Sequence, residues 1–446
     1  MTADELLATC ERVLDLVGDD AEAEVTVSAG TEALTRFATG FIHQNVAEDA
    51  RSLHLRVALD GRVAEARVNQ ADDDALRRLA SSALEAARLR PVDPGWPGLA
   101  PLADAPDVEH WDQATADADP AERSARVGAF VAAADGLETA GFCSTEGTSV
   151  AFANSAGQRL TGRSSGAALD GIARTGTSDG SARVASVRLG ELDGAALGRE
   201  AARRARESSA GTELEPGRYE VVLEPSCVVN LLSFLALHGF NGRAVEEGRS
   251  FAKFGEPQFD PAIGLADDVG HPLAIGVPFD AEGTPKRRVE LVRDGVTTSL
   301  VHDRRTAKAL GSESTGHAVA GASALGAIPS NLVLEPGSAS HDDLVAGMQR
   351  GLLVTDFWYT RILDPRTQVV TGLTRNGVWL VEDGRIVRPV TNLRFTQSYV
   401  EALAPGNVRG VGSDLTLVGG GTFGIGAYAV PPLHLASWNF TGGASG

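Results

Sequence analysis

The sequence predicts an α+β protein of two domains: a mixed helix–strand N-terminal domain over residues 1–209 and a β-rich C-terminal domain over residues 217–446 holding a buried helix. Three observations predict it. Helical periodicity is concentrated before residue 208. Short β-branched runs separated by turn dipeptides dominate after it. Between the two lies an apolar helix, 227–240, whose most apolar stretch, Val228 to Leu237, is about half the length of a membrane span. A length of 446 residues fits two or three domains, at roughly 150 residues each.

In chain order, residues 2–17 carry Leu6, Leu7, Cys10, Val13, Leu14 and Val17 on a helical stripe. Residues 22–28 alternate like a strand. Two further runs within 52–67 flank Asp60-Gly61, a dipeptide suited to the positive φ of a hairpin turn. Residues 73–88 return to helical period. The six prolines of 91–120 mark a surface crossing rather than another domain. A helix near 121–137 leads to several short strands up to about 190, and a third covers 194–208. The small, polar stretch 208–217 is the predicted boundary. Beyond it, RYEVVLEP (218–225) is a strand running into the helix 227–240, closed by Asn241-Gly242. Asp294-Gly295, Asn376-Gly377 and Asp383-Gly384 sit between β-branched runs, which indicates an antiparallel second half.

Composition excludes several functions. Lys+Arg total 40 against Asp+Glu 59, a net charge of −19, and such a body repels phosphate backbones. The N-terminus opens acidic, without the basic and apolar regions of a signal peptide, and no stretch reads as a membrane span. A cytoplasmic protein with reduced thiols is expected, binding neither nucleic acid nor membrane.

The sequence lacks the common catalytic signatures. No two of its nine histidines have the three-to-five-residue spacing of a helical metal pair, and there is no HExxH. Gly419 to Gly424 formally matches GxGxxG, but Pro431-Pro432 forbids the helix a dinucleotide site needs, so it reads as a glycine-rich loop. Asp267 and Asp268 near His271 read as a turn, and Asp303 after His302 as the cap of a surface helix. On pattern alone the helix 227–240, whose polar members are Asn230, Ser233 and His238, is a core helix with a satisfied histidine.

That helix also carries a resemblance. LLSFLALHGFNGRAVEEGRSFAKFGE (231–256) resembles the core motif of the TldD/PmbA family, once called modulators of DNA gyrase. The same holds for VPFDAEGTPKRRVELVRDGVTTSLVHDRRTAKALG (277–311), STGHA (314–318), NLVLEPG (331–337) and GLLVTDFW (351–358), and the N-terminal half is similar in its elements. The resemblance implies one of two kinds of subunit. TldD-type subunits are zinc peptidases with His-Glu-x-x-x-His on the buried helix and a later cysteine in a glycine-rich region. TldE-type, or PmbA-type, subunits lack those ligands and pair with TldD.

Laid on the zinc-subunit pattern, the first ligand position is Ser233, the general-base position is Phe234, the second ligand is His238, and the thiolate position is Phe423. A phenyl ring neither donates to zinc nor activates water, and one imidazole cannot hold the ion. The resemblance therefore implies a TldE/PmbA-like, non-catalytic subunit with no cofactor of its own. Its expected partner is a zinc-bearing TldD-type homologue, in a heterodimer that cleaves unfolded or small peptides. Two alternatives stay open: a stand-alone or homodimeric peptide-binding protein, and a subunit of a pathway-dedicated peptidase in natural-product maturation.

Overall fold

Local capping sets the first helix. Thr2 accepts from the Glu5 N–H while the Glu5 carboxylate takes the Thr2 N–H, a capping box that starts α1 (Ala3–Val17). Asp72 caps α2 (Asp73–Leu89) in the same spirit. Both helices bury their apolar stripes against one face of a six-stranded antiparallel sheet. The sheet runs β3-β2-β1-β4-β5-β6, built from β1 (Glu22–Ala38), β2 (Phe41–Leu59), β3 (Arg62–Val68), β4 (Glu138–Asn154), β5 (Arg159–Arg174) and β6 (Asp179–Ser186). After the one-turn α3 (Gln113–Ala116), helices α4 (Pro120–Ala133) and α5 (Gly194–Glu207) cover the same face further along.

Parity along β1 makes this geometry explicit. Side chains alternate across a strand, and the odd positions Val25, Val27 and Phe37 all join the helix-covered cores. The even positions, Glu24 to Arg36, point to the other face, which no helix of this half covers.

The second half continues with β7 (Gly217–Leu223), α6 (Pro225–His238), α7 (Gly242–Glu246), β8 (Leu265–Asp267), β9 (Val289–Arg293), β10 (Val296–Thr297), α8 (Arg304–Leu310), β11 (Leu332–Leu334) and α9 (His341–Ala346). It ends with β12 (Arg350–Asp364), β13 (Val369–Glu382), β14 (Arg385–Pro389), β15 (Leu393–Ser398), α10 (Tyr399–Ala402), β16 (Val408–Val411), β17 (Thr416–Gly419), β18 (Ala427–Val430) and β19 (Leu433–Gly443). Strands β12-β7-β19-β15-β13 close on themselves through β12–β13 pairing, with β14 and β16 as flanks. A second sheet has the order β10-β9-β8-β11-β18-β17. Helix α6 packs against both, and Cys227 through Ala236 are all buried. This computed structural model describes residues 1–321, 324–419 and 426–443.

The predicted α+β class, with its β-rich second half and buried helix, is what the chain adopts. Four local expectations are corrected. The short strands expected before residue 190 are in fact long, with 17 residues in β4 and 16 in β5. Their glycines allow close packing: a Cβ on Gly171 would lie 2.5 Å from the Phe130 ring of α4. Asn376-Gly377 is not a hairpin turn but a bulge within β13, where the register against β12 shifts between Val354 and Asp356. Asn241 does not close α6; its side chain accepts from the Arg243 N–H and starts α7. The second half is also not wholly antiparallel, because β7–β12 and β11–β18 are parallel pairs. Asp60-Gly61, Asp294-Gly295 and Asp383-Gly384 do take positive φ at both residues, as two-residue hairpins require.

Cys10, Cys143 and Cys227 are buried and unpaired. Among the described residues no helix is long and apolar enough to cross a membrane.

Candidate functional site: a cleft beneath the open sheet face

The uncovered face of the first sheet is turned toward the second half, and a cleft lies between them. Register fixes its floor in rows. Glu32 pairs with Glu48 and Glu146, Leu34 with Val46 and Ser144, and Arg36 with Gln44 and Phe142. Phe142 continues to Asp170 and then Arg183. Two hollows of about 610 and 760 Å³ adjoin along this floor, sharing Phe142, Asp170, Arg183, Val418 and Gly419 as walls.

One end of the cleft is acidic. Burial first, and then the neighbouring Glu32, push the Glu146 carboxyl above the usual carboxylate range. At the other end Arg183 bridges the two halves. Its Nη2 donates to Asp356 Oδ2 at 2.8 Å and its Nε lies 3.2 Å from Asp170 Oδ2. Burial disfavours the Arg183 charge, but Asp356 and Asp170 outweigh it and hold the guanidinium above its ordinary value. Asn376, in the β13 bulge, donates a further bond to Asp356 at 3.1 Å.

Helix α6 enters this cleft with its N-terminal turns. Ser226, Val229 and Asn230 line it, and the stripe continues inward through Phe234 and His238 at i+4 spacing. Asn230 accepts from Tyr399 Oη at 2.8 Å and donates to Thr360 Oγ1 at 3.0 Å. Phe234 stacks on His238 with centroids 6.1 Å apart and meets Tyr399 edge-on at 5.8 Å. The Ser233 hydroxyl points elsewhere, donating to the Val229 carbonyl at 2.7 Å and sharing a hydrogen bond with Tyr428. Burial, then the nearby Arg249 charge, push the His238 imidazole below its ordinary value.

Phe423 lies outside the described residues, between β17 and β18. The three described positions place one imidazole beside a phenyl ring, while the one hydroxyl points away to the Val229 carbonyl. That donor set does not suit zinc. Among the described residues no group of three or more His, Cys, Asp or Glu side chains is placed to hold a metal ion.

The model for the PmbA/TldA metallopeptidase C-terminal domain matches residues 216–442, which span α6 and every strand from β7 onward. The chain belongs to the TldD/PmbA family. A metalloprotease of Methanothermobacter thermautotrophicus is 29% identical over 246 residues, covering 53% of this chain and 51% of the relative. A metalloprotease TldD homolog of Haemophilus influenzae is 25% identical over 219 residues, covering 48% and 45%. The chain thus spans about half the length of the curated relatives it matches. The crystal structure of TldE from Thermococcus kodakarensis has the same fold, with a TM-score of 0.86 at 20% identity over 99% of this chain and 100% of that one.

Two other sequence readings meet the TldD/PmbA fold differently. Asp303 caps α8 as expected, accepting from Thr306 N at 2.7 Å, but it is buried rather than on the surface. Asp267 is not a turn residue: it ends β8, is 1% exposed, and accepts from His317 Nε2 at 2.8 Å. Asp268 alone makes the expected turn, accepting from the Gly270 N–H. The cleft residues Asp170, Arg183 and Asp356 escaped sequence reading, because nothing local links the neighbouring strands β5 and β6 to the distant β12. Only GLLVTDFW, which contains Asp356, carried a signal.

Proposed function

We propose that this chain is a non-catalytic, TldE/PmbA-like subunit of a heterodimeric zinc metallopeptidase of the TldD/TldE type, acting in the cytoplasm on unfolded or small peptides. The zinc belongs to the TldD-type partner, and this chain contributes peptide-binding surface. The observation that carries the reading is Phe234. At the position the resemblance assigns to a general base, α6 presents a buried phenyl ring packed between His238 and Tyr399. The helix runs as α-helix throughout 225–238. Ligands five residues apart sit about 140° apart on such a helix and would need a local distortion to share one ion.

An unpaired strand edge supports peptide capture. β3 pairs with β2 only from Leu53 onward, so among the described residues the outer edge of 41–52 has no strand partner. Gln44, Val46 and Glu48 of this segment border the cleft. An extended peptide adds to such an edge through backbone hydrogen bonds, tolerating many sequences. A second reading, a stand-alone peptide-binding protein, is favoured by one fact: a single chain builds the cleft.

Metal analysis of the chain purified without a partner should find clearly less than one zinc per chain. A stoichiometric zinc that survives chelation would overturn the non-catalytic reading.

A further inference from the structure

The far end of the cleft has features that peptide binding in general does not require. Strand β12 bulges there, with its register against β13 shifting between Trp358 and Arg361. Tyr359 within the bulge has φ 57°, a left-handed conformation that bulky side chains rarely adopt. The neighbouring strand accommodates the bulge with Gly372, where a Cβ would lie 2.7 Å from Thr360 Cγ2. The bulge leaves two large aromatic rings facing outward, Trp358 at 50% and Tyr359 at 66% exposure.

Each ring carries a guanidinium. Arg375 Cζ lies 4.5 Å from the Trp358 centroid and Arg361 Cζ 5.1 Å from that of Tyr359. Neither arginine has a carboxylate partner among the described residues, although the chain carries a net charge of −19. The carboxylates lining this hollow, Asp170 and Asp356, both face Arg183. Three guanidiniums therefore stand against two carboxylates around a hollow of about 760 Å³. Its apolar wall comprises Phe142, Ile172, Val229 and Val418. A planar guanidinium held by an aromatic face keeps its N–H groups aimed outward for a carboxylate.

We propose that this end of the cleft binds the C-terminal residue of a peptide, with Arg361 and Arg375 taking the free carboxylate and the apolar wall taking an apolar last side chain. The proposal rests on the peptide-binding reading above and adds polarity to it. The acidic row of Glu32, Glu48 and Glu146 at the opposite end favours the amino-terminal side of the same peptide.

The test is a binding titration of the whole chain at low salt with a pentapeptide of four alanines and a final phenylalanine. It is used as the free acid and as the C-terminal amide, with N-acetylphenylalanine as the small-carboxylate probe. The acid should bind at least tenfold more tightly than the amide, and N-acetylphenylalanine more weakly than either peptide. The double variant Arg361→Gln/Arg375→Gln should bind acid and amide equally. Equal binding of acid and amide to the parent chain would overturn the carboxylate site while leaving peptide binding intact. N-acetylphenylalanine binding as tightly as the acid would assign the site to small carboxylates instead of peptide ends. Failure of both peptides to bind would overturn the underlying peptide-binding reading as well. The parent comparison needs no variant, so it stands even if the double variant does not fold.

Discussion

Replacing Arg56 with methionine should cost about 3–5 kcal/mol of stability at pH 9, where Glu24 is ionised, the range for breaking a buried charge network by removing one partner. Arg56 Nη1 donates to Glu24 at 2.7 Å and lies 3.4 Å from Glu282, while its Nε donates to Glu65 at 2.9 Å. Glu24 belongs to the first sheet and Glu282 to the second half, so one guanidinium joins the two. A contact of 2.7 Å would by itself hold Glu24 low. Burial is the larger effect, and with Glu282 and Asp280 also nearby it pushes the Glu24 carboxyl up to about 8; burial and Glu282 likewise push Asp280 up to about 7. Because the folded values lie above the ordinary ones, these groups favour folding fully below about pH 4 and lose that contribution as pH rises toward 8. Urea unfolding should therefore show stability falling between about pH 4 and 8, and Glu24→Gln, which mimics the protonated form, should flatten the slope. The Arg56→Met cost should shrink at acidic pH. A cost under about 1 kcal/mol at pH 9 would contradict this account.

The substitution Asp267→Ala should be comparably severe, at about 3–5 kcal/mol. Asp267 accepts from His317 Nε2 at 2.8 Å, from Ser330 N at 2.6 Å and from Asn331 N at 2.8 Å. Removing it strands two N–H groups and an imidazole in the interior. Burial opposes the Asp267 charge, but His317, Lys286 and the Asn331 N–H prevail and hold its carboxyl below the usual range. A depressed value works in the opposite sense to Glu24: its contribution is present above the ordinary carboxylate range and is lost as pH falls through the folded value. Denaturant unfolding of Asp267→Ala should therefore show a loss that is largest at neutral pH and smallest in acid. A loss independent of pH would mean that packing, rather than charge, is what Asp267 supplies.

Legibility in the sequence tracked how local each cause was. Asp60-Gly61, Asp294-Gly295 and Asp383-Gly384 were readable because a two-residue hairpin is specified by its own φ angles. Asn376-Gly377 has the same chemistry, yet it became a bulge, because its partner strand β12 decides the register and is not visible locally. The length of β4 and β5 was not legible, since what their glycines accommodate, such as the Phe130 ring, belongs to another element. Helix α6 was legible as a buried element from its lack of a polar face. Asp267 was not, because its partners His317 and Ser330 lie 50 and 63 residues away. The cleft was the least legible feature. Its walls come from β1, β2, β4, β5, β6, α6, β12, β13 and β17, and only the folded chain brings Asp356 to the Asp170–Arg183 pair.

The central claim, that this chain supplies binding surface and not bond cleavage, is tested most directly by peptidase assays on three samples. These are this chain alone, a zinc-bearing homologue carrying His-Glu-x-x-x-His alone, and the two co-expressed and purified by size exclusion. The account predicts a one-to-one complex that cleaves an unfolded peptide, with neither chain active by itself. Cleavage by the homologue alone at the rate of the mixture, or by this chain alone, would contradict it.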